Sequence, residues 1–178
     1  MMLPSGNDAA YQLAEVGGAL LQMHRNLGYI DKGIVYNVDE MTKFYLLQQF
    51  RIKNYLAQMN RVSKKIEMKN SNFANTHGLS NPENYSCAED LGKLCTYAMR
   101  NKKFRAIVST QYYETAFKPP FLWRNEGSDD ERDHNLLKWE NTNKMLKEGW
   151  SGIKTGITPN AGPCLAASVL KTINGRDF

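Results

Sequence analysis

Gly152-Ile153-Lys154-Thr155-Gly156-Ile157-Thr158 is followed by Pro159-Asn160-Ala161-Gly162 and then by an apolar run from Pro163 to Leu170. Apolar and β-branched residues on both sides of a Pro/Asn/Gly cluster predict two strands, Trp150 to Thr158 and Pro163 to Leu170, joined by a tight turn. The second run alternates poorly and is largely apolar, which suits a buried strand. Asn174-Gly175 is a further hairpin signal. Upstream, Lys118 to Asp133 contains Pro119-Pro120, which a central strand excludes. Its acidic residues Glu126, Asp129, Asp130, Glu131 and Asp133 lack regular ligand spacing, so residues 118–133 read as a flexible solvated loop and not a metal cage.

The rest of the chain reads as mainly helical. Ser5-Gly6-Asn7-Asp8 is a loop turning into a helix with one apolar face, Ala10, Leu13, Ala14 and Gly17, and Gly17-Gly18 is expected to end it. A long helix is predicted from near Asp39, with Met41, Phe44, Tyr45, Tyr55, Leu56, Met59, Val62 and Ile66 as its core stripe. Asn70 to Tyr85 is turn-rich, with Asn75-Thr76-His77-Gly78 and Asn81-Pro82. Ser86 with Glu89 forms a capping box for a helix through Leu91, Leu94, Cys95, Ala98 and Met99, and Asn101 fits its stop. Phe104 to Tyr113 begins as a helical turn and ends as β-prone chain.

The 178 residues predict one domain. A hydrophobic share of 42% with 23% charged is globular composition and excludes disorder or a coiled coil. The net charge of +5 is spread over scattered Lys and Arg, a solvated surface and not a nucleic-acid footprint. Cys87, Cys95 and Cys164 lack metal-type spacing and read as free thiols filling the core. His24, His77 and His134 are isolated, so no metal is expected. No stretch of about 18 apolar residues predicts a membrane span. Met1-Met2-Leu3-Pro4 does not read as a signal peptide, and nothing assigns a compartment.

Three blocks in order carry a family resemblance. Leu3-Pro4-Ser5-Gly6-Asn7-Asp8-Ala9-Ala10 comes first. Phe73-Ala74-Asn75-Thr76-His77-Gly78-Leu79 with Tyr85-Ser86-Cys87-Ala88-Glu89-Asp90-Leu91 is the second. Asn141-Thr142-Asn143-Lys144 with Gly152-Ile153-Lys154-Thr155-Gly156-Ile157-Thr158 and Ala161-Gly162 is the third. Together they resemble the D-alanyl-D-alanine carboxypeptidases, low-molecular-mass penicillin-binding proteins of serine peptidase family S11. That class joins Ser-x-x-Lys, Ser-x-Asn and Lys-Thr-Gly motifs in one site.

The resemblance implies an α+β, serine β-lactamase/transpeptidase-like fold. Residues 1–178 would form a single incomplete domain, mainly its helical subdomain plus a remnant of the antiparallel sheet. Residues 19–50 look longer than the family shows and read as an insertion, and inserted surface usually serves a local partner. The implied substrate is a cell-wall peptide ending in D-Ala-D-Ala, with no cofactor. Ser5 would relay a proton to the leaving D-alanine nitrogen. Asn7 would hydrogen-bond the substrate amide, Lys154 would attract the terminal carboxylate, and Thr155 would hydrogen-bond it. Gly156 would leave room along the strand edge, and the Ile157 N–H would be an oxyanion donor, a contact worth about 3 kcal/mol. His77 is expected to serve a turn.

Ser-x-x-Lys occurs at Ser151–Lys154 and Ser168–Lys171. Roughly one match is expected by chance, and both fall in predicted strands, whereas the chemistry needs Ser and Lys one helical turn apart. The family's attacking serine is therefore expected outside these residues. Two functions stay open. One is a share of a working serine carboxypeptidase completed by preceding sequence or a second chain. The other is a non-catalytic descendant serving as a structural subunit. Either requires further protein over the sheet edge at 150–158, since exposed edges are sticky.

Overall fold

A computed structural model describes residues 1–24, 39–117, 135–169, 171–174 and 176–177. Helix α1 (Asn7–His24) runs through Gly17 and Gly18 instead of stopping there. The two glycines are contact points with helix α2 (Glu40–Lys65). A Cβ on Gly18 would lie 1.9 Å from the Arg51 carbonyl oxygen, and one on Gly17 would lie 2.5 Å from the Tyr55 ring. The buried face of α1 is Ala10, Ala14 and Gly18, all small, while Leu13 is turned out. Polar bonds rim this close approach: Gln48 donates to Glu15 (2.9 Å) and Gln49 to the Tyr11 hydroxyl (3.2 Å).

Asp39 starts α2 as expected, its carboxylate accepting from the Thr42 N–H at 2.9 Å. The predicted stripe holds less well. Met41, Phe44 and Tyr45 are exposed, and Ile52 is the apolar residue that α2 buries. The stripe matched a helical period, but burial depends on what packs against it, and the described residues leave the first turns of α2 uncovered.

Helix α3 (Ala88–Met99) is capped by Cys87 without a side-chain bond. The predicted capping box does not form, and the Ser86 hydroxyl sits 2.8 Å from that of Ser71. Asn101, read as a stop, is the N-cap of α4 (Lys102–Ser109), its side chain accepting from Lys103 and Phe104. Fully buried Asp90 ties α3 to the preceding loop, accepting from Asn70 N–H (2.7 Å) and Ser71 Oγ (2.8 Å).

The described strands form three antiparallel pairs. Strand β1 (Tyr112–Phe117) pairs with β2 (Asn135–Glu140), with Tyr113 and Trp139 stacked across the ladder at 5.9 Å. Sequence reading assigned no strand to 135–140. Strand β3 (Gly152–Thr158) pairs with β4 (Gly162–Ser168) in the expected hairpin. Strand β4 is not buried among the described residues: Cys164 and Leu165 are exposed, which also removes Cys164 from the core. All three cysteines are free. Two-residue strands β5 (Thr172–Ile173) and β6 (Arg176–Asp177) pair antiparallel beyond Asn174; Gly175 of the expected hairpin signal lies outside the described residues. Gly152, at φ +132°, seats β3 against α4, where a Cβ would come 2.8 Å from a methyl of fully buried Val108. The expected loop at 118–133 lies outside the described residues, as does the 25–38 part of the expected insertion. The flanks of that insertion, 19–24 and 40–50, belong to α1 and α2.

Candidate active site

Backbone accounting explains how residues at opposite ends of the chain meet. Asn141 anchors the segment after β2. Its N–H donates to Gln111 O (2.8 Å), its Nδ2 to Thr110 O (2.9 Å), and its Oδ1 accepts from Asn143 N–H (2.9 Å). Buried Asn143 then caps a short 3-10 helix, Lys144–Glu148, through the Met145 N–H. Between them Thr142 is held toward the first loop of the chain. Its N–H and hydroxyl both reach the Leu3 carbonyl, at 3.1 and 3.2 Å, and its Oγ1 lies 2.5 Å from Thr155 Oγ1 on β3.

This junction brings the predicted residues together unequally. The Lys154 ammonium donates to Ser5 Oγ and to the Thr155 carbonyl. Burial pushes the Lys154 pKa down from its usual value. Ser5 is half-buried and holds a left-handed backbone, φ 57°, a conformation that costs a non-glycine residue about 1–2 kcal/mol. Such strain concentrates at functional sites. Asn7, the first residue of α1, is exposed and hydrogen-bonds to neither Ser5 nor Lys154. Gly156 faces open space, since a Cβ there would meet nothing within 4 Å. Ile157 is 78% exposed and pairs with Pro163.

Beside Gly156 and Ile157 lies a groove of about 550 Å³. One wall is the turn from Gly78 to Asn84; the other is the end of the β3–β4 hairpin, with Thr158 and Cys164. The turn is built by side-chain amides. Asn75 Oδ1 accepts from Gly78 N–H and its Nδ2 donates to Leu79 O, both at 2.8 Å. His77 Nδ1 accepts from Leu79 N–H at 3.2 Å, the turn contact expected of it. Asn60 of α2 clamps the same segment by bonding both Phe73 O (2.8 Å) and Phe73 N–H (2.9 Å). Among the described residues no cluster of His, Cys, Asp or Glu could hold a metal, and no helix is long and apolar enough to cross a membrane. Ser151 and Lys154, and Ser168 and Lys171, lie in or beside strands, not on a helix.

Residues 51–176 match the D-alanyl-D-alanine carboxypeptidase family, peptidase S11. The chain belongs to this family. It is 31% identical over 169 residues to the D-alanyl-D-alanine carboxypeptidase of Streptomyces sp. (strain K15), a match covering 93% of this chain and 46% of that protein. Against the D-alanyl-D-alanine carboxypeptidase DacA of Haemophilus influenzae it is 26% identical over 127 residues, covering 70% of this chain and 28% of the relative. The chain thus spans less than half the length of these relatives. Its fold is the penicillin-binding transpeptidase fold in part. The Streptomyces K15 DD-transpeptidase structure superposes with a TM-score of 0.66 at 28% identity, over 98% of this chain and 53% of the other. Penicillin binding protein 5 from Haemophilus influenzae gives 0.52 at 26% identity, over 70% and 31%.

Residues of the first and third motif blocks therefore meet at one junction, and Gly78 and Leu79 of the second line the adjoining groove. Thr142 is the member that sequence reading left without a role, although it stood in the quoted Asn-Thr-Asn block. Its partners are 139 and 13 positions away, and no local pattern announces them.

Proposed function

We propose that this chain carries the ligand-gripping and proton-handling part of a serine-type D-Ala-D-Ala carboxypeptidase site acting on cell-wall peptides. The observation that carries the reading is the Lys154–Ser5 contact, which joins the Lys-Thr-Gly strand to the Ser-Gly-Asn loop across 149 positions. In this reading the peptide lies along the open edge at Gly156, with its chain toward the Gly78–Asn84 wall. Its terminal carboxylate faces Lys154 and the Thr155 hydroxyl, a charge-assisted arrangement. Ser5 hands its proton to the departing D-alanine nitrogen as the C–N bond breaks, and takes one back from Lys154, whose lowered pKa suits it to give a proton up. Asn7 holds the substrate amide, and the Ile157 N–H faces the oxyanion. The attacking serine comes from outside residues 1–178.

Titration of the full chain with an N-acetylated peptide ending in D-Ala-D-Ala, followed by NMR, tests this. Shifts are expected at Thr155, Gly156 and Ile157, and their loss in Lys154→Met. Shifts confined to other surfaces would remove the reading. Labelling the native material with a fluorescent penicillin tests the source of the serine. A covalent band on this chain of 20.3 kDa would contradict an outside nucleophile, whereas a labelled companion chain supports it.

A second reading, a non-catalytic subunit, is favoured by the surfaces left uncovered. Leu13, Val16, Leu20 and Met23 form an exposed stripe along α1, and β3 pairs only with β4 among the described residues. Further protein over the 150–158 edge fits both readings. Slow amide exchange in β3 in the native particle is expected; fast exchange there would exclude such a cover.

A further inference from the structure

We infer that Thr142 is a positioning residue that turns Thr155 into a hydrogen-bond donor for a ligand carboxylate by moving a single hydroxyl proton. The inference rests on the proposed carboxylate grip and starts from counting protons. The Leu3 carbonyl can only accept, so the 3.2 Å contact from Thr142 Oγ1 uses that hydroxyl's one proton. Either hydroxyl can donate across the 2.5 Å contact between Thr142 Oγ1 and Thr155 Oγ1, and whenever Thr142 donates to Leu3 that contact takes the proton of Thr155. In this state Thr155 presents only lone pairs to the cleft. A carboxylate also brings only lone pairs, so the resting order opposes the ligand that Lys154 attracts.

The geometry supplies the remedy. Leu3 O also accepts the Thr142 backbone N–H at 3.1 Å, and Leu3 is buried. If the Thr142 hydroxyl rotates away, that buried carbonyl keeps a partner and incurs no desolvation penalty. The freed proton swings to Thr155 Oγ1, and the Thr155 proton turns outward to the carboxylate. Two protons are used before and after. The bond lost is the longer of the two at a carbonyl already satisfied, and the bond gained is charge-assisted. A hydroxyl that accepts while it donates is also polarised into a stronger donor. A ligand ending in a carboxamide has no need of the switch, because its N–H can donate to Thr155 as it stands.

The probes are an N-acetylated peptide ending in D-Ala-D-Ala and its C-terminal amide, with Kd for each measured by NMR on the full chain. Thr142→Val keeps the shape and removes the proton; its fold is checked by thermal melting. The expected result is a Kd for the carboxylate peptide raised about 3-fold, because Thr155 keeps its proton but loses the Thr142 hydroxyl that orients and polarises it toward the carboxylate. The carboxamide should stay within about twofold, and Thr142→Ser should restore wild-type discrimination. If Thr142→Val weakens both peptides equally, or Thr142→Ser fails to rescue, Thr142 is only structural and the switch is wrong. Unchanged carboxylate binding in Thr142→Val overturns it as well. If the wild-type chain itself does not favour the carboxylate and Lys154→Met changes nothing, the carboxylate grip falls, and the switch with it.

Discussion

Three glycines in helices set up one substitution with three outcomes. Alanine normally stabilises an exposed helix position by about 0.5–1 kcal/mol over glycine. At Gly92, exposed in α3, a Cβ meets nothing within 4 Å, so Gly92→Ala should gain that amount in full. At Gly17 the obstacle is the Tyr55 ring at 2.5 Å, which can swing aside at some loss of packing. At Gly18 the obstacles are Arg51 O, C and Cα at 1.9, 2.5 and 2.9 Å, all main chain. Arg51 lies mid-way along α2, so only separation of the two helices relieves the clash. Overpacking of this kind costs about 1–3 kcal/mol and sometimes more; with a backbone obstacle this close, Gly18→Ala belongs at the upper end, about 3 kcal/mol net. For a chain of this length each kcal/mol moves Tm by roughly 2–4 °C. Thermal melting should therefore show Gly92→Ala up by a few degrees, Gly17→Ala between, and Gly18→Ala down by about 6–12 °C. A Gly18→Ala variant within about 1 kcal/mol of wild type would refute the close α1–α2 contact and the account of why α1 passes through two glycines.

Other outcomes follow from single groups. Burial alone would raise the Asp90 carboxyl, but hydrogen bonds from Ser71 and Asn70 and the nearby Lys93 ammonium outweigh it and hold it below its usual value. Its stabilisation is present above the unfolded value and lost as pH falls through the folded one. Tm against pH should therefore have a shallower acid slope in Asp90→Asn, and an unaltered slope below about pH 4 would reject the assignment. Lys154 gives a slope of the same sign from a different cause: burial disfavours its charged form, so the unfolded lysine keeps its proton to higher pH than the folded one. Stability should rise between the lowered folded value and the ordinary 10.5, a rise that chemical denaturation should find missing in Lys154→Met. At Ser5, glycine accepts φ 57° where alanine does not, so Ser5→Gly should be more stable than Ser5→Ala by about 1 kcal/mol in denaturant. Equal stabilities would mean the loop carries no strain.

Local chemistry made much of this fold legible. Asp39 declares a helix start because its carboxylate can take an orphan N–H, and the turn at 159–161 separates two strands because proline and asparagine favour turns over a continued ladder. Misreadings arose where a residue's partner lay elsewhere in space. Gly17-Gly18 reads as a stop in isolation, yet these positions lack side chains because another helix passes there. Ser86 matches a capping box, but Ser71 claims its hydroxyl. Strand β2 was overlooked because its Leu136 and Leu137 break simple alternation. The motif residues Ser5, Lys154 and Thr155 were visible as words, while their meeting point depended on Thr142, whose hydroxyl bridges distant segments.

The bonds from Leu3 to Thr142 and from Ser5 to Lys154 span 139 and 149 positions. Bringing ends so far apart into register costs about 4 kcal/mol of chain entropy, and contacts of this range form slowly. Helices α2 and α3, with the clamped turn between them, draw instead on near neighbours. Contacts of such long range are expected to form after the local ones in folding and to leave the cleft among the first features to loosen. Loss of ligand grip should precede loss of helicity on gentle heating, making binding a more sensitive gauge of damage than circular dichroism.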